Sequence, residues 1–286
     1  YNNQFHIKQV RADVHFSESV VHVQDLVASI NQSQLTTYGD LVWPLKSSAH
    51  LSSLPQFLIE TSSLSYSDLL LIQPELQKRM PLSLSPSEKI IVTGNFSGTL
   101  QNLNAKQISV ITSDKRLQLK GSVHFLLRKT GPEITATFHQ LQLKKPLLSK
   151  GLLKRLQHEK IYLPEEITLT GKMQVNPERM FAAIKLNSSF GQLLINGTVT
   201  NIRYPKLLAY NLILDAHHFE TGKWIGLDSV LGKITGRVFV KGSGMQKNNV
   251  VATSQLQLQT AVLNGYPFSN IDLQAGLDRS EFTEYA

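Results

Sequence analysis

Leu163-Pro164-Glu165-Glu166-Ile167-Thr168-Leu169-Thr170-Gly171-Lys172-Met173-Gln174-Val175 is the stretch that decides the fold. From Ile167 onward Ile167, Leu169, Met173 and Val175 fall on one side, with Thr, Lys and Gln on the other. Successive side chains of a strand point to opposite faces, so this period of two reads as a strand with one apolar face. Gly171 interrupts the run. A glycine weakens a strand unless a bend, bulge or close backbone approach requires it.

The same alternation extends in both directions. Val10, Ala12, Val14 and Phe16 alternate with Arg11, Asp13 and His15. Ile90, Val92 and Phe96 alternate with Ile91, Thr93 and Asn95; Leu117 and Leu119 flank Gln118; Val123, Phe125 and Leu127 alternate with His124 and Leu126. Leu193 and Ile195, then Leu208, Tyr210, Leu212 and Leu214, then Leu256 and Leu258, then Ile271 and Leu273 continue it. The chain is mostly β. Helical signals are short: Leu69 to Gln73 behind a capping Asp68 and ahead of Pro74, a leucine ladder at Leu148, Leu152 and Leu156, and Glu220 to Ile225.

A loose internal repeat underlies the pattern. Val92-Thr93-Gly94-Asn95 is echoed by Leu169-Thr170-Gly171-Lys172 and by Ile234-Thr235-Gly236-Arg237, with glycine spacings of 171 − 94 = 77 and 236 − 171 = 65. A second glycine follows at Gly121 and Gly197, after steps of 121 − 94 = 27 and 197 − 171 = 26. Each Thr-Gly strand follows a helix candidate. Thr-Gly is a common pair, but the shared order of features favours repetition over chance. The recurring glycine then predicts a regular bend that curls the sheet. The approximate units are 1–67, 68–146, 147–218 and 219–286 of one continuous array.

Composition narrows the function. The chain has 286 residues, 41% of them hydrophobic and 17% charged, which suits a folded protein. The 29 Lys+Arg against 21 Asp+Glu leave +8, a thinly spread basic balance. With no cysteine, disulfides, thiol nucleophiles and thiolate metal sites are excluded. The start at Tyr1, the end at Ala286 and the lack of a long apolar run read as a fragment whose anchor or export signal lies outside it.

No constellation points to catalysis. His217 and His218 are adjacent, and neighbours in a strand face opposite ways, so a shared metal ion is disfavoured. Glu165 and Glu166 cannot face each other as catalytic carboxylates do and read as a solvated turn. Lys241-Gly242-Ser243-Gly244 lacks the spacing of a phosphate loop and reads as a hairpin turn. The cluster Lys144, Lys145, Lys150, Lys154, Arg155 and Lys160 reads first as the solvated face of a helix whose leucines plug the sheet; anionic headgroups or an acidic partner are the alternative. Without interleaved aromatics, nucleic acid is not a partner. No cofactor is implied.

Three blocks carry a family resemblance. Asp68-Leu69-Leu70-Leu71-Ile72-Gln73-Pro74-Glu75-Leu76 is similar to the element that precedes a strand block in the AsmA-like/TamB family. Leu163 to Gly171, followed by Leu186-Asn187-Ser188-Ser189-Phe190-Gly191, is similar to a second such block. Gly232-Lys233-Ile234-Thr235-Gly236, Lys241 to Gly244 and Asn264-Gly265-Tyr266-Pro267-Phe268-Ser269-Asn270-Ile271 resemble a third, with Phe268 where tyrosine is more usual. The blocks reach from about residue 60 to the end. None is a catalytic fingerprint; they are patterns of turns and strand phases.

The resemblance implies a long antiparallel-rich sheet curled into an open trough, the β-taco, with an apolar interior. It implies a periplasmic chain, anchored in the inner membrane through its parent and reaching the outer membrane. Its implied roles are phospholipid transport towards that membrane or outer-membrane protein assembly. The implied partners are phospholipid acyl chains and an Omp85-type outer-membrane protein, with membrane contact through parts of the parent chain beyond this one.

The residues expected to line the groove are Ile90, Val92, Phe96, Leu117, Leu119, Ile167, Leu169, Ile184, Leu186, Leu193, Ile195, Leu212, Val238, Val240 and Leu258. A one-residue slip in phase would turn all of them outward. On the residues alone, the apolar face suits the dry core of a β-sandwich or the wall of a lipid groove; the resemblance points to the groove. The rivals are an interaction module that offers a sheet edge and a carbohydrate-active β-helix enzyme, for which no convergent carboxylates are found.

Overall fold

The computed structural model describes residues 6–17, 20–42, 56–75, 82–99, 101–204, 206–244 and 249–278. Leu76 and the expected mid-strand end at Ala286 lie outside them. The chain is mostly β, among the described residues an antiparallel sheet with three short helices, and the expected fold class holds. Its strands are β1 (Ile7–Phe16), β2 (Val20–Ile30), β3 (Ser33–Val42), β4 (Gln56–Ser65), β5 (Lys89–Thr99), β6 (Asn102–Thr112), β7 (Leu117–Arg128) and β8 (Gly131–Lys144). There follow β9 (Glu166–Val175), β10 (Arg179–Ser188), β11 (Gly191–Thr200), β12 (Ala209–Glu220), β13 (Leu231–Ser243), β14 (Val251–Leu263) and β15 (Tyr266–Asp278). Among the described residues the order of the 15 strands in the sheet is their order in the chain. The helices are α1 (Tyr66–Ile72), α2 (Lys150–His158) and α3 (Thr221–Ile225), with a 3₁₀ turn at Lys145–Leu147.

The chain divides into two compact units, Tyr1–Leu127 with Phe138–Leu152, and Arg128–Thr137 with Leu153–Ala286. In the first, β1 to β7 pair antiparallel, each with the next. Helix α1 stops one residue short of the position preceding Pro74, where the proline ring disfavours helical backbone. Asp68 is not its cap. The N-cap is Ser65, which makes no side-chain cap bond, and Asp68 lies buried inside the first turn. Its carboxylate instead accepts the Gln32 N–H at 3.0 Å and the Ser33 hydroxyl at 2.6 Å, tying the helix to the β2–β3 turn. Ser62, Ser65, Thr112 and Glu88 are also buried. Their bonds run to neighbouring strands and turns: the Ser62 hydroxyl accepts the Thr36 N–H at 2.9 Å, and Glu88 accepts the Ser113 hydroxyl at 2.5 Å. Among the described residues no buried side-chain nitrogen or oxygen lacks a partner, as the cost of desolvation demands.

In the second unit β9 to β15 pair in the same way. Strand β12 carries a bulge between Ala216 and Phe219, where two residues oppose Thr235 alone and His218 takes a φ of 49°. Both Ala216 and Phe219 are buried, so the two histidines between them share the solvent side. The expectation that His217 and His218 face opposite ways is therefore corrected; the bulge shifts the strand phase by one. Strand β13 runs through Ser243, so Lys241 to Ser243 are strand and not turn. Helix α2 begins at Lys150, after Leu148, which forms an isolated bridge with Leu82. No α2 residue is buried, and its leucines are half-buried.

Gly171 and Gly236 take φ values of 133° and 150°, which side-chain-bearing residues rarely adopt. A Cβ would lie 2.1 Å from the Ala183 carbonyl oxygen at Gly171, and 2.4 Å from that of Gln257 at Gly236. Gly94, at the same phase of the repeat, has no such φ, and its Cβ would meet the Phe96 ring at 3.1 Å.

Candidate functional site: the apolar face of the sheet

Antiparallel pairing places directly opposed residues on one face, so the register assigns each side chain to a side. In the second unit, Leu169 opposes Leu186, Leu186 opposes Leu193, and Leu193 opposes Ala216. The row continues through Gly236, Leu258 and Ile271. Beside it runs Gly171, Ile184, Ile195, Leu214, Val238, Leu256 and Leu273. A third row holds Met173, Ala182, Gly197, Leu212 and Val240 before turning polar at Ser254. Ile167, two residues before Leu169, joins the same side. Ten of the expected residues thus share one face: Ile167, Leu169, Ile184, Leu186, Leu193, Ile195, Leu212, Val238, Val240 and Leu258.

The first unit repeats the arrangement. Val92 opposes Val110, which opposes Leu119. Ile90 lies between Leu64 and Thr112, and Phe96 between Phe57 and Ala105. Leu117 precedes Leu119 by two and donates its N–H to the Thr112 hydroxyl at 3.0 Å. Ile90, Val92, Phe96, Leu117 and Leu119 therefore share the face that bears Val110.

Burial across the face of the second unit is uneven. Leu186, Leu193, Ala216, Phe219, Leu258 and Ala261 are buried, all close to the end of the sheet where α3 packs. There Trp224 stands against Phe219, and Phe190, Leu214 and Ile234 pack around the same cluster. Towards the other end Ile184, Ile195, Leu212, Val238 and Val240 are only half-buried. The face is apolar, in register and incompletely covered.

The opposite face is mostly polar, with Leu194, Ile213 and Phe239 among its residues. Thr170, Lys185, Leu194, Asp215, Arg237, Gln257 and Asp272 form one of its rows. Arg237 donates to both carboxylate oxygens of Asp215, at 2.5 and 3.2 Å, and this bond raises the arginine pKa further. In the first unit Asp114 sits in the β6–β7 turn. Burial pushes its carboxyl up, but bonds from the Arg116 backbone N–H, the Thr112 hydroxyl and the Arg116 guanidinium outweigh that and lower its pKa.

Sequence reading missed the bulges, at Asp25, Gln107 and His218, where a non-glycine residue takes φ near 50°. Their weak signal was residue type, since Asp and His tolerate that conformation better than most. It also missed Trp224 and Phe190, whose neighbours in sequence show no strand alternation. Comparison of the chain with protein-family models, with curated proteins and with solved structures yields no match.

Proposed function

We propose that this chain is a segment of a periplasm-spanning envelope protein of the AsmA-like/TamB type. In this reading its apolar face carries phospholipid acyl chains towards the outer membrane or supports outer-membrane protein assembly. The observation that carries the reading is the registered apolar face, only half-buried along two of its three rows in the second unit. A dry sandwich core would bury such a face under a second layer. An acyl chain laid along it gains about 0.8 kcal/mol per buried CH₂. That gain has no direction, so a chain can slide from row to row without a deep polar trap. A fixed binding pocket, by contrast, anchors its ligand with a few placed polar groups. The role is non-enzymatic, and the working residues are the face itself.

Photo-crosslinking in living envelopes tests it. A photoreactive amino acid replaces Val92, Leu169 or Val238 on the apolar face, with Thr93, Thr170 and Lys241 on the polar face as controls. Phospholipid adducts at the first three alone support the conduit. Their absence, with the apolar positions closed to solvent, moves the reading to a scaffold or interaction module. The specific feature favouring that second reading is β15, which among the described residues has one strand neighbour and exposes Tyr266, Phe268, Leu273 and Leu277.

A further inference from the structure

The connection between β11 and β12 in the second unit is built to hold two apolar side chains in solvent. Tyr204 donates its N–H to the Asn201 carbonyl at 2.8 Å, and Leu207 donates its N–H to the Tyr204 carbonyl at 2.8 Å. The Asn201 side-chain amide closes the pair of turns on the Leu207 carbonyl at 2.9 Å. Three neighbours brace them. Arg203 donates to the Thr130 carbonyl at 3.1 Å, Asn249 donates to the Lys206 carbonyl at 3.3 Å, and Ile202 donates to Glu178 at 3.5 Å. These bonds tie the described residues of the connection, yet Tyr204 stays 61% and Leu207 64% exposed.

The surrounding charge is one-sided. Lys129, Arg179, Arg203 and Lys206 are exposed at this end of the strands. The carboxylates at this end are fewer: Glu133, near the start of β8, is engaged by Arg128 at 2.7 Å, and Glu178 in the β9–β10 turn and Asp278 at the end of β15 are exposed. Tyrosine and leucine protruding among lysines and arginines match the chemistry of a membrane interface. The ring and alkyl groups lie at headgroup level there, and the cations meet lipid phosphates. An acidic protein would suit the charges but gives no reason for Tyr204 and Leu207 to protrude.

We propose that the β11–β12 turn docks on an anionic phospholipid bilayer, with Tyr204 and Leu207 entering the headgroup layer and Arg203 and Lys206 flanking them. The inference does not rest on the apolar face being a lipid conduit. It assigns bilayer contact to this chain, where the family resemblance implied contact through other parts of a parent protein.

The test uses the chain as it stands, with vesicles of phosphatidylcholine alone and of phosphatidylcholine mixed with phosphatidylglycerol. Flotation is expected with the mixed vesicles, to weaken with added salt, and to be slight with the neutral ones. The pair Arg203→Glu and Lys206→Glu lowers partitioning ~10-fold or more. The pair Tyr204→Ser and Leu207→Ser lowers it while leaving the salt dependence. Lys172→Glu with Lys185→Glu, away from the turn, leaves it unchanged. Because the chain has no cysteine, an environment-sensitive dye on Leu207→Cys reads insertion even if a paired variant misfolds. A blue shift with mixed vesicles alone is expected. No shift at that position, equal binding to neutral vesicles, or binding untouched by both pairs overturns the proposal. Lipid adducts at Val238 report on the apolar face separately, so either reading can fail alone.

Discussion

Phe219, near the end of β12, and Trp224, in α3, meet with ring centroids 4.9 Å apart and planes inclined at 54°. The bulge at His218 is what brings Phe219 to the apolar side, and the five-residue helix swings the indole back onto it. Tilted aromatic pairs at this separation add to the gain from burial.

Phe219 is 3% exposed. Its replacement by alanine removes the ring and leaves a cavity against Leu193 and Ala216, at a cost of about 3–5 kcal/mol. Trp224→Ala, at a half-buried site, costs less. Urea unfolding followed by circular dichroism measures both, and equal costs would mean that the contact, not the depth of burial, dominates.

The three repeat glycines are expected to separate. Gly171→Ala and Gly236→Ala force a methyl group into a backbone carbonyl at a φ that alanine resists, so each costs more than the ~1 kcal/mol of an ordinary strained residue. Gly94→Ala meets the edge of the Phe96 ring at 3.1 Å and the Ile108 Cα at 3.4 Å, an ordinary contact, and costs less because the ring can turn aside. If all three lose equal stability, the positive φ is not what the repeat preserves.

Asp68 holds a helix to a turn. Asp68→Ala strips the Gln32 N–H and the Ser33 hydroxyl of their acceptor and is expected to cost about 2–3 kcal/mol. Amide hydrogen exchange at Gln32 should quicken in this variant. Unchanged exchange there would place the carboxylate outside the support of the turn.

Acid should act on the first unit through Asp114. Its pKa is lowered in the folded state, so its contribution is fully present above the unfolded aspartate value near 3.9. That contribution is lost as pH falls through the lower folded value. Asp114→Asn removes this component, and the wild-type and variant unfolding midpoints should converge as the pH drops below the aspartate range.

Much of the sheet was legible because alternation is a local property. Leu169, Ile195, Leu212 and Val238 were assigned to one side from their own strands, and pairing places them together without a slip. The helices were legible in outline, with Pro74 after α1 as the plainest sign, although α1 begins at Tyr66 and not behind Asp68. What local pattern could not supply was the effect of one strand on another. His217 and His218 look like ordinary alternation until Thr235 alone opposes them. Asp68 looks like a cap until Gln32 and Ser33, more than thirty residues upstream, come within reach.

Strand class, the apolar face and its phase were therefore determined by the sequence itself, since side-chain alternation along a strand depends on the backbone of that strand alone. The tertiary structure decided where the bulges fall, which glycines need their φ and how far the face is covered. It also decided that Tyr204 and Leu207 stand in solvent. The first three depend on which residue lies opposite across a pairing, and the last on the bonds that tie the β11–β12 connection to Thr130, Glu178 and Asn249; chain order contains none of these distances.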